Sequence, residues 1–129
     1  MGIIKSGKKG NRKGNEVMSE NLRCLLKQYV NDVCQIYGSD LKSILLYGSY
    51  ARGDFKESSD IDIMILVDSS DEEIQKKSHL LSDLTFEYNY DYDLMIMPIV
   101  KNRTHFNKWR RAYPFYHEVQ VEGVELYAV

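Results

Sequence analysis

Cysteine and proline are scarce in this sequence, with two of each among 129 residues. Cys24 and Cys34 lie ten positions apart on one predicted helix. That separation is about 15 Å at 1.5 Å per residue, which excludes a disulfide between them, and we expect both thiols to be buried or half-buried. No apolar run approaches the roughly 18 residues of a membrane span, and no signal peptide is recognisable, so we expect a cytoplasmic protein with no membrane partner.

Negative charge dominates once the first residues are set aside. Residues 1–15 hold five lysines and arginines and no acid, whereas residues 16–129 hold 12 basic and 19 acidic side chains, a net charge of −7. The basic segment has little apolar surface to bury, so we predict a disordered tail over residues 1–15 and one domain over residues 16–129. An acidic domain repels nucleic-acid backbones, so we expect no direct nucleic-acid partner, and a phosphate-bearing substrate would need a bridging cation.

The spacing of apolar residues predicts a mixed α/β chain. A helix is predicted from an N-cap at Ser19 to Tyr37, ended by Gly38, and a capping box over Ser70–Glu73 opens a second long helix. Apolar runs predict strands at 42–47, 60–67, 93–100 and 124–129, with shorter helical segments at 49–54, at 104–111 and from Pro114 onward. Strands interleaved with helices favour a small mixed β-sheet flanked by helices.

The most informative segment joins two of these strands. Gly48-Ser49 follows the first strand, ten residues come next, and Asp60-Ile61-Asp62 opens the second. Residues i and i+2 of a strand share a face, so the two aspartates project together while Ile61 faces the core. Adjacent carboxylates repel unless a cation lies between them, and Mg²⁺ prefers oxygen ligands. Glycine allows close approach of a phosphate to the backbone, so the segment predicts a site for metal-bound phosphates.

This pattern of Gly-Ser, ten residues and Asp-x-Asp resembles the signature of the minimal nucleotidyltransferase domain of the DNA polymerase β-like superfamily, over residues 40–129. The resemblance implies a metal-dependent transfer of AMP, or another nucleoside monophosphate, from a nucleoside triphosphate to a hydroxyl acceptor. It implies two Mg²⁺ ions as cofactors and ATP as the substrate. Such transfer depends on metal ions and in-line geometry more than on covalent chemistry of the protein.

The resemblance also implies a third carboxylate just before a later apolar strand. Asp93 directly precedes the run Leu94–Met97 and matches that position best, while Asp91 would point to the same face of the strand and remains its competitor. The residues assigned in this way are the catalytic and metal-binding Asp60, Asp62 and Asp93 and the nucleotide-binding Gly48, Ser49 and Arg52. For Arg52, a solvated surface position is the alternative.

The acceptor is the least determined part of the sequence-based hypothesis. Larger relatives carry an additional domain that holds the acceptor, and minimal members of the family typically pair with a HEPN-domain protein encoded beside them as a toxin. The resemblance therefore implies an antitoxin that transfers AMP onto a tyrosine of a HEPN-type partner. Two alternatives stay open: a nucleotide-binding or partner-binding module that inhibits by contact, and a homo-oligomer that modifies a small molecule.

Overall fold

The computed structural model describes residues 18–129, so the disordered tail predicted for residues 1–15 lies outside the described residues. The chain forms five α-helices, one 3₁₀ turn and four strands in this range. The helices are α1 Glu20–Tyr37, α2 Ser49–Arg52, α3 Asp71–Tyr92, α4 Arg103–Trp109 and α5 Pro114–Glu122, and the 3₁₀ turn is Gly38–Asp40. The strands are β1 Leu41–Tyr47, β2 Ile61–Val67, β3 Ile96–Asn102 and β4 Val124–Ala128.

The four strands form one mixed sheet in the order β3-β2-β1-β4. Strand β1 is antiparallel to both β2 and β4, and β2 is parallel to β3. The register places Tyr47 opposite Asp62, so the end of β1 and the start of β2 meet at one edge of the sheet. The prediction of a mixed α/β fold is confirmed.

Alternate residues of β2 face opposite sides of the sheet and pack against different helices. The isoleucines of β2 and Val67 share a buried cluster with residues of α1 and α3. Met64 and Leu66 pack instead with Phe106 of α4 and with Tyr116 and Val119 of α5. Helices therefore cover both faces of the sheet, and Asp62, which is in step with Met64 and Leu66, lies on the face that α4 and α5 cover.

Helix boundaries that depend on local capping agree with the prediction. The Ser19 hydroxyl accepts from the Leu22 N–H at 3.1 Å, and Gly38 ends α1 with a φ of 57° that glycine adopts freely. At the start of α3, Ser70 and Glu73 form the reciprocal capping box. None of the helices in residues 18–129 is long and apolar enough to cross a membrane.

The prediction for the two cysteines is half wrong. Both are free thiols on α1, which confirms that they form no disulfide with each other. Cys34 is half-buried, as expected, but Cys24 is exposed because the buried stripe of α1 passes through Leu25, Leu26 and Tyr29.

The predicted start of the third strand is also wrong. Helix α3 continues to Tyr92, Asp93 caps it in the left-handed conformation (φ 55°, ψ 50°), and β3 begins only at Ile96. Asn89 accounts for this boundary, because its side chain accepts from the Ile96 N–H at 2.8 Å and donates to the Ile96 carbonyl at 3.2 Å. Tyr88, one residue earlier, is buried and donates to Asp32 of α1 at 2.7 Å, so the last turns of α3 are held in place.

Candidate functional site

The turn after β1 requires glycine. Gly48 adopts φ 78° and ψ −155°, a region that only glycine populates readily. A Cβ built on Gly48 would collide with a carboxylate oxygen of Asp62, so the backbone of the turn and this carboxylate pack directly on each other. The Gly48 carbonyl then accepts from the N–H groups of Ala51 and Arg52, both at 3.0 Å, which starts the short helix α2.

Asp60 and Asp62 lie at the start of β2, as the sequence predicts. Ile61 and Ile63 are 2% and 0% exposed and fix the strand in the core, so the two aspartates are on the same side. Partial burial, and next the charge of Asp60, raise the pKa of Asp62 above its ordinary value, while Arg52 opposes the shift. A carboxylate that is partly buried beside a second carboxylate is an environment that favours a bound cation.

These residues share one cleft of about 380 Å³, a volume in the range of small-molecule sites. The lining comes from the end of β1 with α2, from the start of β2, and from α5. It consists of Tyr47, Gly48, Ser49, Arg52, Ser59, Asp60, Asp62, Phe115, Glu118, Val119 and Glu122. Five of the six residues assigned from the sequence are thus brought together, and the sixth, Asp93, is not part of this lining.

Arg52 is held in the cleft by two carboxylates. Its Nε donates to Asp54 Oδ2 at 3.2 Å, and its Nη1 donates to Oε1 and Oε2 of Glu122 at 3.3 and 3.4 Å. A guanidinium has five N–H donors, so these bonds leave Nη2 for a further partner. An ion pair this exposed adds about 0–1 kcal/mol to stability, and its clearer effect is to orient Arg52 and tie α2 to α5.

Helix α5 forms a wall that the sequence-based prediction missed. Phe115, Glu118, Val119 and Glu122 follow the i, i+3, i+4, i+7 spacing of one helix face. Val119 is fully buried and anchors this face to the sheet. The spacing was visible in the sequence, but only the packing of α5 against the Asp62 face of β2 shows which partner the face meets.

Asp91 and Asp93 are not among the residues that line the cleft. Asp91 lies in the last turn of α3, Asp93 is its C-cap, and both side chains are exposed. Their predicted placement on one face of a strand is therefore wrong, because β3 begins three residues after Asp93. The catalytic role assigned to Asp93 stays a prediction.

The cleft suits a divalent cation that is shared with a substrate. In residues 18–129, no three His, Cys, Asp or Glu side chains come close enough together to hold a metal ion by themselves. Asp60 and Asp62 supply the hard oxygen ligands that Mg²⁺ prefers, and Mg²⁺ in such sites takes its other ligands from water and substrate phosphates. The lining carries four carboxylates and one guanidinium, so an anionic substrate would be repelled without cations.

Comparison with known proteins finds a matching family model and similar archaeal proteins. The model of the nucleotidyltransferase domain family matches residues 26–116. Two proteins of Methanocaldococcus jannaschii, each named "Putative protein adenylyltransferase", are 32% and 36% identical to this chain over 102 residues. Each alignment covers 79% of this chain, and 95% and 94% of the two relatives.

Two solved structures share the fold at lower identity. A crystal structure of a toxin–antitoxin with AMP-PNP has a TM-score of 0.52 at 19% identity, covering 80% of this chain and 73% of that chain. A "putative nucleotidyltransferase" from Sulfolobus solfataricus has a TM-score of 0.51 at 21% identity, covering 68% of this chain and 73% of that chain. Since the family model spans most of the described residues and the two archaeal relatives align over nearly their whole length, this chain belongs to the nucleotidyltransferase domain family.

Proposed function

We propose that this nucleotidyltransferase transfers AMP from ATP to a hydroxyl group of a partner protein, with Mg²⁺ held by Asp60 and Asp62. The observation that carries the proposal is the single cleft in which the Gly48-Ser49 turn, Arg52 and both aspartates meet. The names of the archaeal relatives, and the AMP-PNP in the toxin–antitoxin structure, support AMP as the transferred group.

Different residues of the cleft contact different parts of the triphosphate in this proposal. Ser49 offers its hydroxyl and backbone N–H to the terminal phosphates, and Gly48 permits their close approach to the backbone. Arg52 offers its Nη2 donors, since Glu122 and Asp54 occupy the others. Asp60 and Asp62 would hold Mg²⁺, which would supply charge neutralisation for the phosphates.

The reaction is a substitution at the α-phosphorus. The acceptor oxygen bonds to that phosphorus, the bond to the bridging oxygen of the β-phosphate breaks, pyrophosphate leaves, and the proton of the hydroxyl passes to solvent. We propose a tyrosine of a HEPN-type protein as the acceptor, because the motif resembles that of minimal family members with such partners. A toxin–antitoxin among the structural neighbours supports a protein partner.

A labelling experiment tests this proposal. The full chain is incubated with Mg²⁺, the HEPN-type protein encoded beside it, and ATP labelled at either the α- or the γ-phosphate. We expect the partner to take up the α-label and not the γ-label, with AMP located on a tyrosine by mass spectrometry. Asp62→Asn and chelation of the metal should each abolish labelling. Uptake of the γ-label, or undiminished transfer in chelator, would overturn the proposal.

One observation favours a second candidate, a module that binds nucleotide or partner without turnover. The described residues do not assemble three carboxylates into one metal-binding group. Tight Mg²⁺–ATP binding and tight partner binding, with no label transferred to the partner or to water, would establish that reading in place of the enzymatic one.

A further inference from the structure

The wall that α5 contributes to the cleft differs chemically from the opposite wall. Gly48, Ser49, Asp60 and Asp62 present polar groups suited to phosphates and cations. Helix α5 instead offers an aromatic ring at Phe115 and carboxylates one and two turns further on. The proposed function assigns ligands to the phosphate end of a nucleotide and leaves its base without a partner.

Phe115 is the one residue of the lining with a large exposed apolar side chain. It is 42% exposed, whereas the other large apolar lining residues, Tyr47 and Val119, are 9% and 0% exposed. Its ring packs edge-to-face on Tyr47, with centroids 5.6 Å apart and planes at 76°, which restrains its orientation. An exposed, oriented ring in a polar cleft is a platform for a planar ligand, and base–aromatic stacking contributes about 1–3 kcal/mol per base.

Glu118 lies one helical turn after Phe115 on the same face. Its side chain is exposed, and it makes no hydrogen bond or ion pair with any other residue of 18–129, whereas Glu122 on the next turn is engaged by Arg52. An ionised carboxylate only accepts hydrogen bonds. It would therefore accept a hydrogen bond from the amino group at C6 of adenine or C4 of cytosine, and would repel the carbonyl oxygen at the same position of guanine or uracil.

We infer that Phe115 and Glu118 form the nucleobase subsite of the cleft, in which Phe115 stacks on the base and Glu118 selects an amino group over a carbonyl oxygen at C6 of a purine or C4 of a pyrimidine. The inference rests on the proposed function, which places the triphosphate at the Gly48-Ser49 end. Adenine and cytosine are accepted by this subsite, and guanine and uracil are disfavoured. Both side chains of this subsite, the stacking Phe115 and the selecting Glu118, lie on α5, whereas the Asp-x-Asp pair lies on a different element.

Binding of non-hydrolysable triphosphates tests the inference without requiring an acceptor. Calorimetry on the full chain with Mg²⁺ compares the analogues of ATP, CTP, GTP and UTP. We expect the analogues of ATP and CTP to bind at least about tenfold more tightly than those of GTP and UTP, the scale of one well-placed base contact. Glu118→Gln should reduce that ratio by about tenfold, because an amide can also donate to a carbonyl oxygen.

Phe115→Leu separates stacking from base selection. It should weaken binding of all four analogues by about tenfold or more and leave the ratio between them largely unchanged, and Phe115→Tyr should restore affinity. Two matched controls lie outside the cleft: Glu125→Gln on β4 and Phe86→Leu on α3, both at exposed positions. Neither control should alter affinity or the ratio between bases.

The outcomes distinguish failure of the inference from failure of the proposed function. If no analogue binds with Mg²⁺, the proposed function itself fails. If the ATP analogue binds and Glu118→Gln leaves the ratio between bases unchanged, only the base-selecting role is overturned. A Glu118→Gln variant that loses affinity equally for all four analogues, and recovers at higher Mg²⁺, would make Glu118 a metal ligand and contradict the inference.

Discussion

The chain contains two Asp-x-Asp pairs, each just ahead of an apolar run, and the two pairs occupy different positions in the structure. Asp60 and Asp62 start β2 and line the cleft. Asp91 and Asp93 end α3, with exposed side chains and with Asp93 in the left-handed conformation. Two pairs with the same local pattern thus occupy a strand and a helix end.

The residues around each pair account for the difference. Ile61 and Ile63 are buried on the α1–α3 face, which fixes the start of β2 and the direction of both aspartates. Ahead of Asp91 and Asp93, Asn89 bonds to both backbone groups of Ile96 and thereby sets the start of β3 beyond the pair. Two carboxylates ahead of an apolar run therefore do not by themselves predict the start of a strand. The residue that fixes the strand boundary determines whether the pair lies at a strand or at the end of a helix.

The largest expected difference between the pairs is in catalysis. Asp62→Asn should lower AMP transfer by at least about 10²-fold, because metal ions contribute several kcal/mol to such transition states and about 1.4 kcal/mol is a factor of ten. Asp60→Asn should behave similarly. Transfer of α-labelled AMP measures the effect, with Asp91→Asn as the matched loss of one carboxylate. If Asp60→Asn or Asp62→Asn retained full AMP transfer, the assignment of these aspartates as metal ligands would be wrong.

A second difference concerns stability without metal. Because the folded state raises the pKa of Asp62, the folded state binds a proton more tightly than the unfolded state does. The contribution of Asp62 to stability is therefore fully present below its unfolded pKa and is lost as the pH rises through the raised folded pKa. In chelator, Asp62→Asn should have a higher melting temperature than wild type at pH 7 and little or no advantage at pH 3. An equal gain from Asp91→Asn would show a general charge effect instead.

A smaller effect is expected at the α3 cap. Asp93 holds φ 55°, where a glycine has no Cβ penalty, and its N–H donates to the Asn89 carbonyl. Asp93→Gly relieves a left-handed strain of roughly 1–2 kcal/mol and loses about 0.4–1 kcal/mol to the more flexible unfolded chain, so the free energy of unfolding should rise by about 0–1.6 kcal/mol. Denaturant unfolding measures this change, and Asp93→Ala, which keeps a Cβ, is the matched variant. A destabilised glycine variant would show that the Asp93 side chain makes a contribution that its exposed position does not explain.

The smallest expected effect is the most informative about the third carboxylate. Asp91→Asn should leave ATP binding and AMP transfer near wild type, and the exposed position of Asp93, outside the lining of the cleft, by itself gives no reason to expect a different result from Asp93→Asn. The resemblance to the family makes the opposite prediction for Asp93, namely a loss of about 10²-fold in transfer with binding retained, as for a positioned base. Such a loss in Asp93→Asn alone would support the assignment, and the Ile61 N–H already donates to the carbonyl of Met95, two residues after Asp93, at 2.8 Å.

The sequence predicted the features that depend on neighbouring residues. Gly48 is needed by its own backbone conformation, and the alternation around Ile61 fixes the side on which the two aspartates lie. The capping residues Ser19 and Ser70 act within one helical turn, so the boundaries that they set were predictable.

The features that the sequence did not predict depend on contacts between distant segments. The end of α3 follows from the bonds between Asn89 and Ile96, seven residues apart, and from the packing of Tyr88 on α1. The second wall of the cleft depends on α5 packing against β1 and β2, more than fifty residues earlier in the chain, through the buried cluster that Val119 shares with Tyr47, Met64 and Leu66. Periodicity shows that α5 has a buried face, but it does not show which strand buries that face.

Helix α5 is also the element through which substitutions can change the lining of this cleft. It supplies four of the eleven lining residues, and three of these, from Glu118 onward, lie beyond residue 116, where the match to the family model ends. The Gly-Ser turn and the Asp-x-Asp pair lie on other elements and do not require a particular side chain at an exposed position of α5. Substitutions at the exposed positions of this one helix would therefore change the cleft without altering the Gly-Ser turn or the Asp-x-Asp pair, while the buried Val119 keeps α5 packed against the sheet.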